Sequence, residues 1–237
     1  LNNITDITVV IPLLNEQDSL KELHDWIANT MQSNSFSYEI IFIDDGSIDS
    51  SWSVIKNLCS SSKKTKGVQF LTNYGKSMAL SEGFKLAKGK IVITMDADLQ
   101  DDPKEIIPLY KMITENNYDI VSGWKKKRHD SLIFKNLPSK LFNFAARLSS
   151  GISLNDFNCG IKAYKSDVIK EIELTSGMHR YIPVLAKKSG FNKIAEKIVK
   201  HHPRLHGNTK YGPDRFIKGF LDLITLSFFS RFGKRPM

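Results

Sequence analysis

Five consecutive residues, Asp96-Ala97-Asp98-Leu99-Gln100, carry the most concentrated chemistry in the chain. Two carboxylates separated by one small residue, with an amide oxygen two positions on, make a set of hard oxygen donors. Such a set suits Mg2+ or Mn2+, above all where substrate phosphates supply the remaining ligands. Taken alone, an Asp-x-Asp reads more readily as a solvated acidic turn. The residues before it argue against that. Ile91-Val92-Ile93-Thr94-Met95 is an apolar run with the length and composition of a buried strand. It carries both carboxylates to the point where strand becomes loop, and open α/β sheets bind ligands beyond the carboxyl ends of their strands.

Strand-like and helix-like runs alternate through the first half of the chain. Strands are expected at 7–11, 38–43, 68–71, 91–95 and 119–122. Between them, Leu20, Leu23, Ile27 and Met31 form a helical stripe, as do Trp52, Ile55 and Leu58. Leu80, Phe84 and Ala87 mark a helix stopped by Gly89, and Pro103 opens one carrying Ile106, Leu109, Tyr110 and Ile113. The alternation predicts an α/β fold with a mostly parallel central sheet, flanking helices and right-handed crossovers. The second half is less regular. A helix is expected at 138–148, strands at 159–164 and 194–199, and a loop at 201–214, which is rich in proline, glycine and polar residues. The last segment is amphipathic: Ile217, Leu221, Ile224 and Phe228 share one helical face, and Arg215, Lys218, Asp222 and Thr225 another. The expected division is a catalytic domain at 1–213 and an amphipathic juxtamembrane helix at 214–237.

Two further strand ends carry polar signatures, Pro12-Leu13-Leu14-Asn15-Glu16 and Asp44-Asp45-Gly46-Ser47. In a parallel sheet these loops converge with the Asp96/Asp98 pair on one edge. Converging carboxylates repel unless a metal or donor groups compensate. A carboxylate here accepts hydrogen bonds from ribose hydroxyls or a base N–H, and Asp45 is the candidate; its competing role is a turn or helix cap. Neither a phosphate-binding G-x-x-x-x-G-K-[ST] loop nor a G-x-G-x-x-G fingerprint occurs, so a bound nucleotide's phosphates must be neutralised by metal and basic side chains.

With 237 residues and 41% hydrophobic content, the chain can build a large core. Its formal charge of +9 points to an anionic partner: a phosphorylated substrate, a lipid headgroup or a nucleic acid. Cys59 and Cys159 form no disulfide framework, and His201, His202 and His206 have no cysteine or acidic neighbour in sequence that would complete a zinc site. The chain opens on Leu1 and carries neither a signal peptide nor a run of about 18 apolar residues. It reads as an excised piece of a longer product, in which a membrane segment could follow residue 237.

The motifs together resemble the inverting glycosyltransferases of family 2, which have the GT-A fold. Asp96-Ala97-Asp98-Leu99-Gln100-Asp101-Asp102-Pro103 resembles the extended metal motif of the polyprenyl-phosphate sugar synthases, dolichol-phosphate mannose synthases and undecaprenyl-phosphate glycosyltransferases among them. The segments 156–162, 179–183 and 204–210 resemble further motifs of that group in the same order, with Thr209 where serine is usual. The resemblance implies that Pro12, Leu14, Glu16, Ile43 and Asp45 contact the nucleoside. It places Asp96, Asp98 and Gln100 on the metal and Ala97 beside the donor. Arg204 and Lys210 would contact phosphate, helped by the tight turns that Gly207 and Gly212 permit. Leu14 replaces a common tyrosine, and Lys125 replaces an arginine, keeping charge but losing bidentate geometry.

The implied reaction moves a hexose from a nucleotide-diphosphate sugar, UDP-glucose or GDP-mannose, to a polyprenyl phosphate, with inversion. Asp98, Lys125, Asp156, Arg204 and Lys210 are the residues expected to carry it, with Asp156 as an assisting or orienting carboxylate. The departures at Leu14 and Lys125 favour a UDP-sugar. Such an enzyme works at the cytoplasmic face of a membrane, peripherally or through a following membrane segment, and is compatible with a homo-oligomer. Rival readings are a family 2 enzyme with a saccharide hydroxyl acceptor, and a sugar nucleotidyltransferase. The latter usually carries a Gly-rich basic loop where this chain has 12–16. A nucleic-acid-binding module is disfavoured, because carboxylates clustered at strand ends repel phosphate.

Overall fold

A computed structural model describes residues 5–126, 143–144, 146–148, 150–175 and 177–203. Strands β1 (Ile7–Leu13), β2 (Tyr38–Asp44), β3 (Thr65–Gln69) and β4 (Ile91–Thr94) alternate with helices α1 (Leu20–Ser33), α2 (Ser51–Ser61) and α3 (Lys76–Leu86). After β4, a 3-10 turn at Pro103–Glu105 leads into α4 (Ile106–Asn116) and β5 (Ile120–Trp124). Then come β6 (Lys162–Lys165), α5 (Ser166–Glu171), a 3-10 turn at Met178–Tyr181, α6 (Ile182–Lys188) and β7 (Ile194–Ile198).

Every residue of β1 and β2 is buried, as expected for strands covered on both faces. The side-chain period of two divides β1 between the faces. Ile7, Val9, Ile11 and Leu13 join a core with Leu20, Leu23 and Ile27 of α1, Ile55 of α2 and Leu109 of α4. Val10 faces the other way, onto Leu80 and Phe84 of α3, Val168 of α5 and Ile182 of α6. The result is a three-layer sandwich with one sheet in the order β3-β2-β1-β4-β6-β5-β7.

The chain runs outward from β1 through β2 to β3, then returns to place β4 on the other side of β1. The order therefore reverses between β1 and β4, where a doubly wound sheet opens its ligand crevice. All these pairings are parallel, as is β5 with β7. One strand departs from the expected direction: β6 is antiparallel to both β4 and β5. Because β5 ends on the crevice edge and β6 starts from that same edge, the connection needs no crossover. The consequence is functional. The carboxyl ends of β1 to β5 and β7 and the amino end of β6 all meet at one edge.

Smaller differences have local causes. The third strand lies at 65–69, not 68–71; it is an edge strand whose Lys66 and Gln69 are tolerated because it pairs on one side only. The strand expected at 159–164 begins at Lys162, since Cys159 and Gly160 belong to the crevice loop. Pro103 opens a 3-10 turn capped by Asp102, whose side chain accepts from the Lys104 N–H, before the α-helix begins. Helices α5 and α6 were not anticipated. Of the helix expected at 138–148, residues 143–144 and 146–148 are described, and they are helical. Arg204, Lys210 and the segment 214–237 lie outside the described residues.

Candidate active site

The loops after β1 and β2 are laced together by their own polar groups. Paired register sets Pro12 beside Ile43, so these two expected nucleoside contacts lie side by side at the strand ends. Asn15, at φ 51° in the left-handed region that asparagine tolerates, turns the first loop. Its N–H donates to Ser47 Oγ at 2.8 Å, and its Oδ1 accepts from the Ile48 N–H at 2.9 Å. The Glu16 N–H donates to Ser51 Oγ at 2.9 Å. Leu14 and Glu16 are half-buried at the rim.

Asp45 is buried, and its carboxylate accepts the Tyr74 N–H at 2.8 Å and the Gly75 N–H at 2.9 Å. Burial raises its pKa above the ordinary carboxylate value, against the pull of those two N–H groups. The next residue, Lys76, reaches the other carboxylate loop and pairs through Nζ with Asp96 Oδ1. Asp45 and Asp96 follow strands separated by β1, roughly 10 Å apart at the usual strand spacing. The segment 74–76 spans that gap, holding the nucleoside-side carboxylate by its backbone and the metal-side one by its side chain.

Beyond β4, Asp96 and Asp98 are half-buried around a buried Ala97. Leu99 takes φ 60°, a rare conformation for a branched apolar residue, and buries its side chain under the turn. The turn is fastened by the Gln100 N–H on Asp98 Oδ1 at 3.2 Å. Gly160 comes from β6's side of the crevice: a Cβ there would lie 2.2 Å from Asp96 Oδ2. The Asp96 carboxylate thus rests against bare backbone, and only glycine leaves room for it. Burial raises the pKa of Asp96, but Lys76, Lys125 and Lys162 outweigh it and hold the carboxyl well below the usual range.

Lys125 sits at the end of β5 with Nζ 2.8 Å from Asp101 Oδ1; its side chain is 11% exposed and that of Asp101 fully buried. Burial opposes the charge on Lys125, yet Asp101 and Asp96 hold its pKa above the ordinary lysine value. Lys162 is buried on β6, paired with Thr94 in register, and donates through Nζ to the Cys159 carbonyl. Burial lowers its pKa. Asp156, also buried, accepts the Asn158 N–H at 3.0 Å, the contact of a turn-forming aspartate. His179 is tied to Ser77 of α3 by its own N–H and by Nδ1, both at 3.0 Å. Burial and the adjacent Lys76 push its pKa well below the ordinary value, so the ring is neutral. Cys159 is buried and its thiol is pushed up to about 12, which removes it as a nucleophile.

The structure therefore brings Pro12, Leu14, Glu16, Ile43, Asp45, Asp96, Ala97, Asp98, Gln100, Lys125 and Asp156 to one edge of the sheet. Sequence reasoning missed Lys76, and it gave no individual role to Lys162 and His179 within the motif segments 156–162 and 179–183. Lys76 had a signal: the run Thr72-Asn73-Tyr74-Gly75-Lys76 is a fourth polar strand end, after β3. Lys162 had another, a lysine inside a strand otherwise buried.

The donor set fits a hard divalent cation. Asp96 is held ionised in a cradle that Gly160 keeps open, Asp98 stands two residues on, and Gln100 adds an amide oxygen. Among the described residues no group of three His, Cys, Asp or Glu side chains forms a self-sufficient metal cage. Two carboxylates plus substrate phosphates are what Mg2+ commonly uses.

Residues 8–173 match the profile of glycosyl transferase family 2. The chain belongs to that family. Among curated relatives of this family 2 chain, a dodecaprenyl-phosphate galacturonate synthase of Rhizobium johnstonii is 34% identical over 98% of this chain and 69% of its own length. An undecaprenyl-phosphate 4-deoxy-4-formamido-L-arabinose transferase of Pseudomonas syringae is 36% identical over 92% of this chain and 64% of its own. The chain thus spans about two thirds of the length of these relatives. Among solved structures, glucosyl-3-phosphoglycerate synthase of Mycobacterium tuberculosis, in complex with Mn2+ and UDP-glucose, superposes with a TM-score of 0.71 at 21% identity, covering 97% of this chain and 79% of that one. The likeness shows that this family 2 member has the GT-A architecture.

Proposed function

We propose that the chain transfers a sugar from a nucleotide diphosphate to a polyprenyl phosphate, with inversion at the anomeric carbon. The observation that carries the reading is the bridge at 74–76, which joins Asp45 to an ionised Asp96 across the β1/β4 crevice. A nucleoside on one side and its diphosphate on the other would span the same gap. The names of the relatives supply the acceptor class.

Asp96, Asp98 and Gln100 would hold Mg2+ or Mn2+; the cation, when bound, neutralises charge developing on the diphosphate leaving group. Lys76 and Lys125 add fixed positive charge beside it. A phosphate monoester has a second pKa near 6, so it is largely ionised at neutral pH and needs no strong general base. Asp156, engaged in its turn, orients rather than abstracts a proton. Arg204 and Lys210 position the acceptor phosphate, and rate comes from alignment and electrostatics. Leu14 and Lys125 favour a UDP-sugar over GDP-mannose. The amphipathic segment 214–237 and the charge of +9 support work at a membrane surface, on its cytoplasmic face, peripherally or through a following membrane segment. No helix among the described residues is long and apolar enough to cross a membrane.

The test is transfer to a short polyprenyl phosphate with Mg2+ or Mn2+. UDP-glucose, GDP-mannose and a galacturonate nucleotide are offered in parallel. Lipid-linked product from one donor, lost in Asp98→Ala and Arg204→Ala, is the expected result. Transfer to a soluble hydroxyl acceptor, with the lipid phosphate inert, overturns the reading.

A further inference from the structure

His179 is fastened to helix α3 across 102 residues of sequence. Its backbone N–H donates to Ser77 Oγ at 3.0 Å, and its ring Nδ1 lies 3.0 Å from the same oxygen. Ser77 is 1% exposed, and among the described residues its side chain has no other hydrogen-bond partner. A serine hydroxyl has one hydrogen to give and lone pairs to accept with. Here the oxygen accepts the backbone N–H, and the buried hydroxyl hydrogen needs an acceptor of its own. Nδ1 is the acceptor within reach. A proton on Nδ1 would leave that hydrogen stranded, so the ring carries a single proton, on Nε2. The lysine-rich surroundings, which keep the ring neutral, agree. His179 therefore presents one fixed, uncharged N–H.

The surroundings of this N–H belong to the crevice. Ser77 follows Lys76, whose Nζ pairs with Asp96. The 3-10 turn at Met178–Tyr181 packs on α3, and Lys76, Arg180, Lys162 and Asp96 all act on the ring. Ser77 is buried and His179 half-buried, so the ring reaches outward from a buried anchor. The two ring nitrogens diverge, so holding Nδ1 on Ser77 turns Nε2 away from α3. Across the sheet the order is β2, β1, β4, β6, with Asp45 after β2, Asp96 beyond β4 and Lys162 on β6. A donor with its nucleoside at Asp45 and its diphosphate at Asp96 carries its sugar next to that diphosphate, where Lys76, Lys162 and His179 gather.

We propose that His179 is a specificity-determining residue whose Nε2–H donates a hydrogen bond to an oxygen of the transferred sugar. The cation and the lysines meet the phosphate charge. A sugar oxygen is uncharged and asks for direction, which a single N–H locked in one tautomer supplies without drawing phosphate into its place. Ser77 is a positioning residue that acts through the ring. The inference rests on the proposed nucleotide-sugar donor and not on the identity of the acceptor.

The test uses the full chain with Mn2+ and, as probes, UDP-glucose, UDP-galacturonate and GDP-mannose beside sugar-free UDP and GDP. His179→Asn keeps an acceptor for the Ser77 hydroxyl and is too short to reach the sugar. His179→Gln brings an amide N–H close to the place of Nε2. Ser77→Ala removes the hydroxyl alone. Expected in calorimetry for His179→Asn is an about tenfold loss of affinity for the nucleotide sugar that wild type binds, with the matching sugar-free nucleotide within twofold of wild type. His179→Gln recovers part of the loss. Nitrogen NMR of the ring, which needs no ligand, shows the Nε2–H tautomer alone in wild type and a mixture of tautomers in Ser77→Ala. Equal losses for nucleotide sugar and sugar-free nucleotide overturn the inference in favour of a phosphate contact. Unchanged donor binding with a raised KM for the polyprenyl phosphate overturns it in favour of an acceptor contact, and an Nδ1–H ring in wild type overturns it outright. If wild type binds a nucleotide sugar but transfers it to no lipid phosphate, the functional reading fails and the binding data alone decide this inference. If wild type binds none of the three, both fall. Ser77→Ala and the wild-type spectrum keep the question decidable should His179→Asn not fold.

Discussion

Strand β1 pairs with β2 along its whole length, from Ile7 against Tyr38 to Leu13 against Asp44, and with β4 from Ile7 against Ile91 to Val10 against Thr94. Strand β5 meets β6 only from Ile120 against Tyr164 to Ser122 against Lys162. In the first region, regular backbone ladders deliver Pro12, Ile43, Asp45 and Asp96 to the crevice. In the second, individual side-chain contacts take over: Lys125 on Asp101, Lys162 on the Cys159 carbonyl, Glu196 on the N–H groups of Asn155 and Asp156 at 2.8 and 2.9 Å. The contrast teaches that a placement made by a ladder survives local substitution, whereas one made by a single contact depends on that residue.

The largest expected effect breaks the second region. Gly160→Ala drives a methyl group into the Asp96 carboxylate, and transfer should fall about a thousandfold, or ~4 kcal/mol of barrier, with the fold intact by circular dichroism. Gly83→Ala is its counterpart in the first region. Its Cβ would lie 2.3 Å from Val10 Cγ1 in the core, so it should lower stability by about 1–3 kcal/mol while the folded fraction keeps its turnover. Comparable turnover per folded molecule in the two variants would erase the distinction.

Asp101→Asn comes next. It leaves Lys125 in the crevice without its carboxylate, and denaturant unfolding should report a loss of about 3 kcal/mol. A smaller effect is expected at Glu39, on the far edge of the sheet. Its buried carboxylate accepts Thr8 Oγ1 at 2.7 Å and the Lys88 N–H at 2.7 Å and pairs with Lys66 at 2.6 Å. Burial raises its pKa, but those partners outweigh it and hold the folded value below 4.5. The stabilisation is therefore complete above the unfolded value and is lost as pH falls through the folded one. Glu39→Gln should remove roughly 1–2 kcal/mol at pH 7 and flatten that part of the acid limb in a pH series of thermal melts. Least of all should come from Lys21→Ala, which breaks an exposed pair with Asp25 on α1 and should change stability by no more than about 0.5 kcal/mol.

The same contrast explains what was legible in the sequence. Apolar runs such as 7–11 and 91–95 announce ladders, and a ladder fixes where its last residue points, so the convergence of the Asp96/Asp98 pair and Asp45 is legible in the sequence. Asp45 is also held by the N–H groups of Tyr74 and Gly75, a contact between loops 29 and 30 residues apart that no local pattern encodes. The antiparallel sense of β6 was hidden for a related reason: Lys162-Ala163-Tyr164-Lys165 shows strand composition but not direction. No partner stands near His201 and His202 in sequence, yet Asp101 and Asp102 meet them across 100 residues.

The position of β6 between β4 and β5 has a consequence for assembly during synthesis. Strand β5 does not pair with β4, and in the sheet β7 pairs only with β5. A nascent chain that has emerged through Lys125 can close β3-β2-β1-β4, yet β5 has no place in the sheet until Lys162–Lys165 leaves the ribosome to join it. The β3-β2-β1-β4 block, with Asp45 and the Asp96 turn at its edge, can thus form some 40 residues of translation before Lys162–Lys165 seats β5 and Lys125, and Gly160 reaches Asp96 only in that second stage.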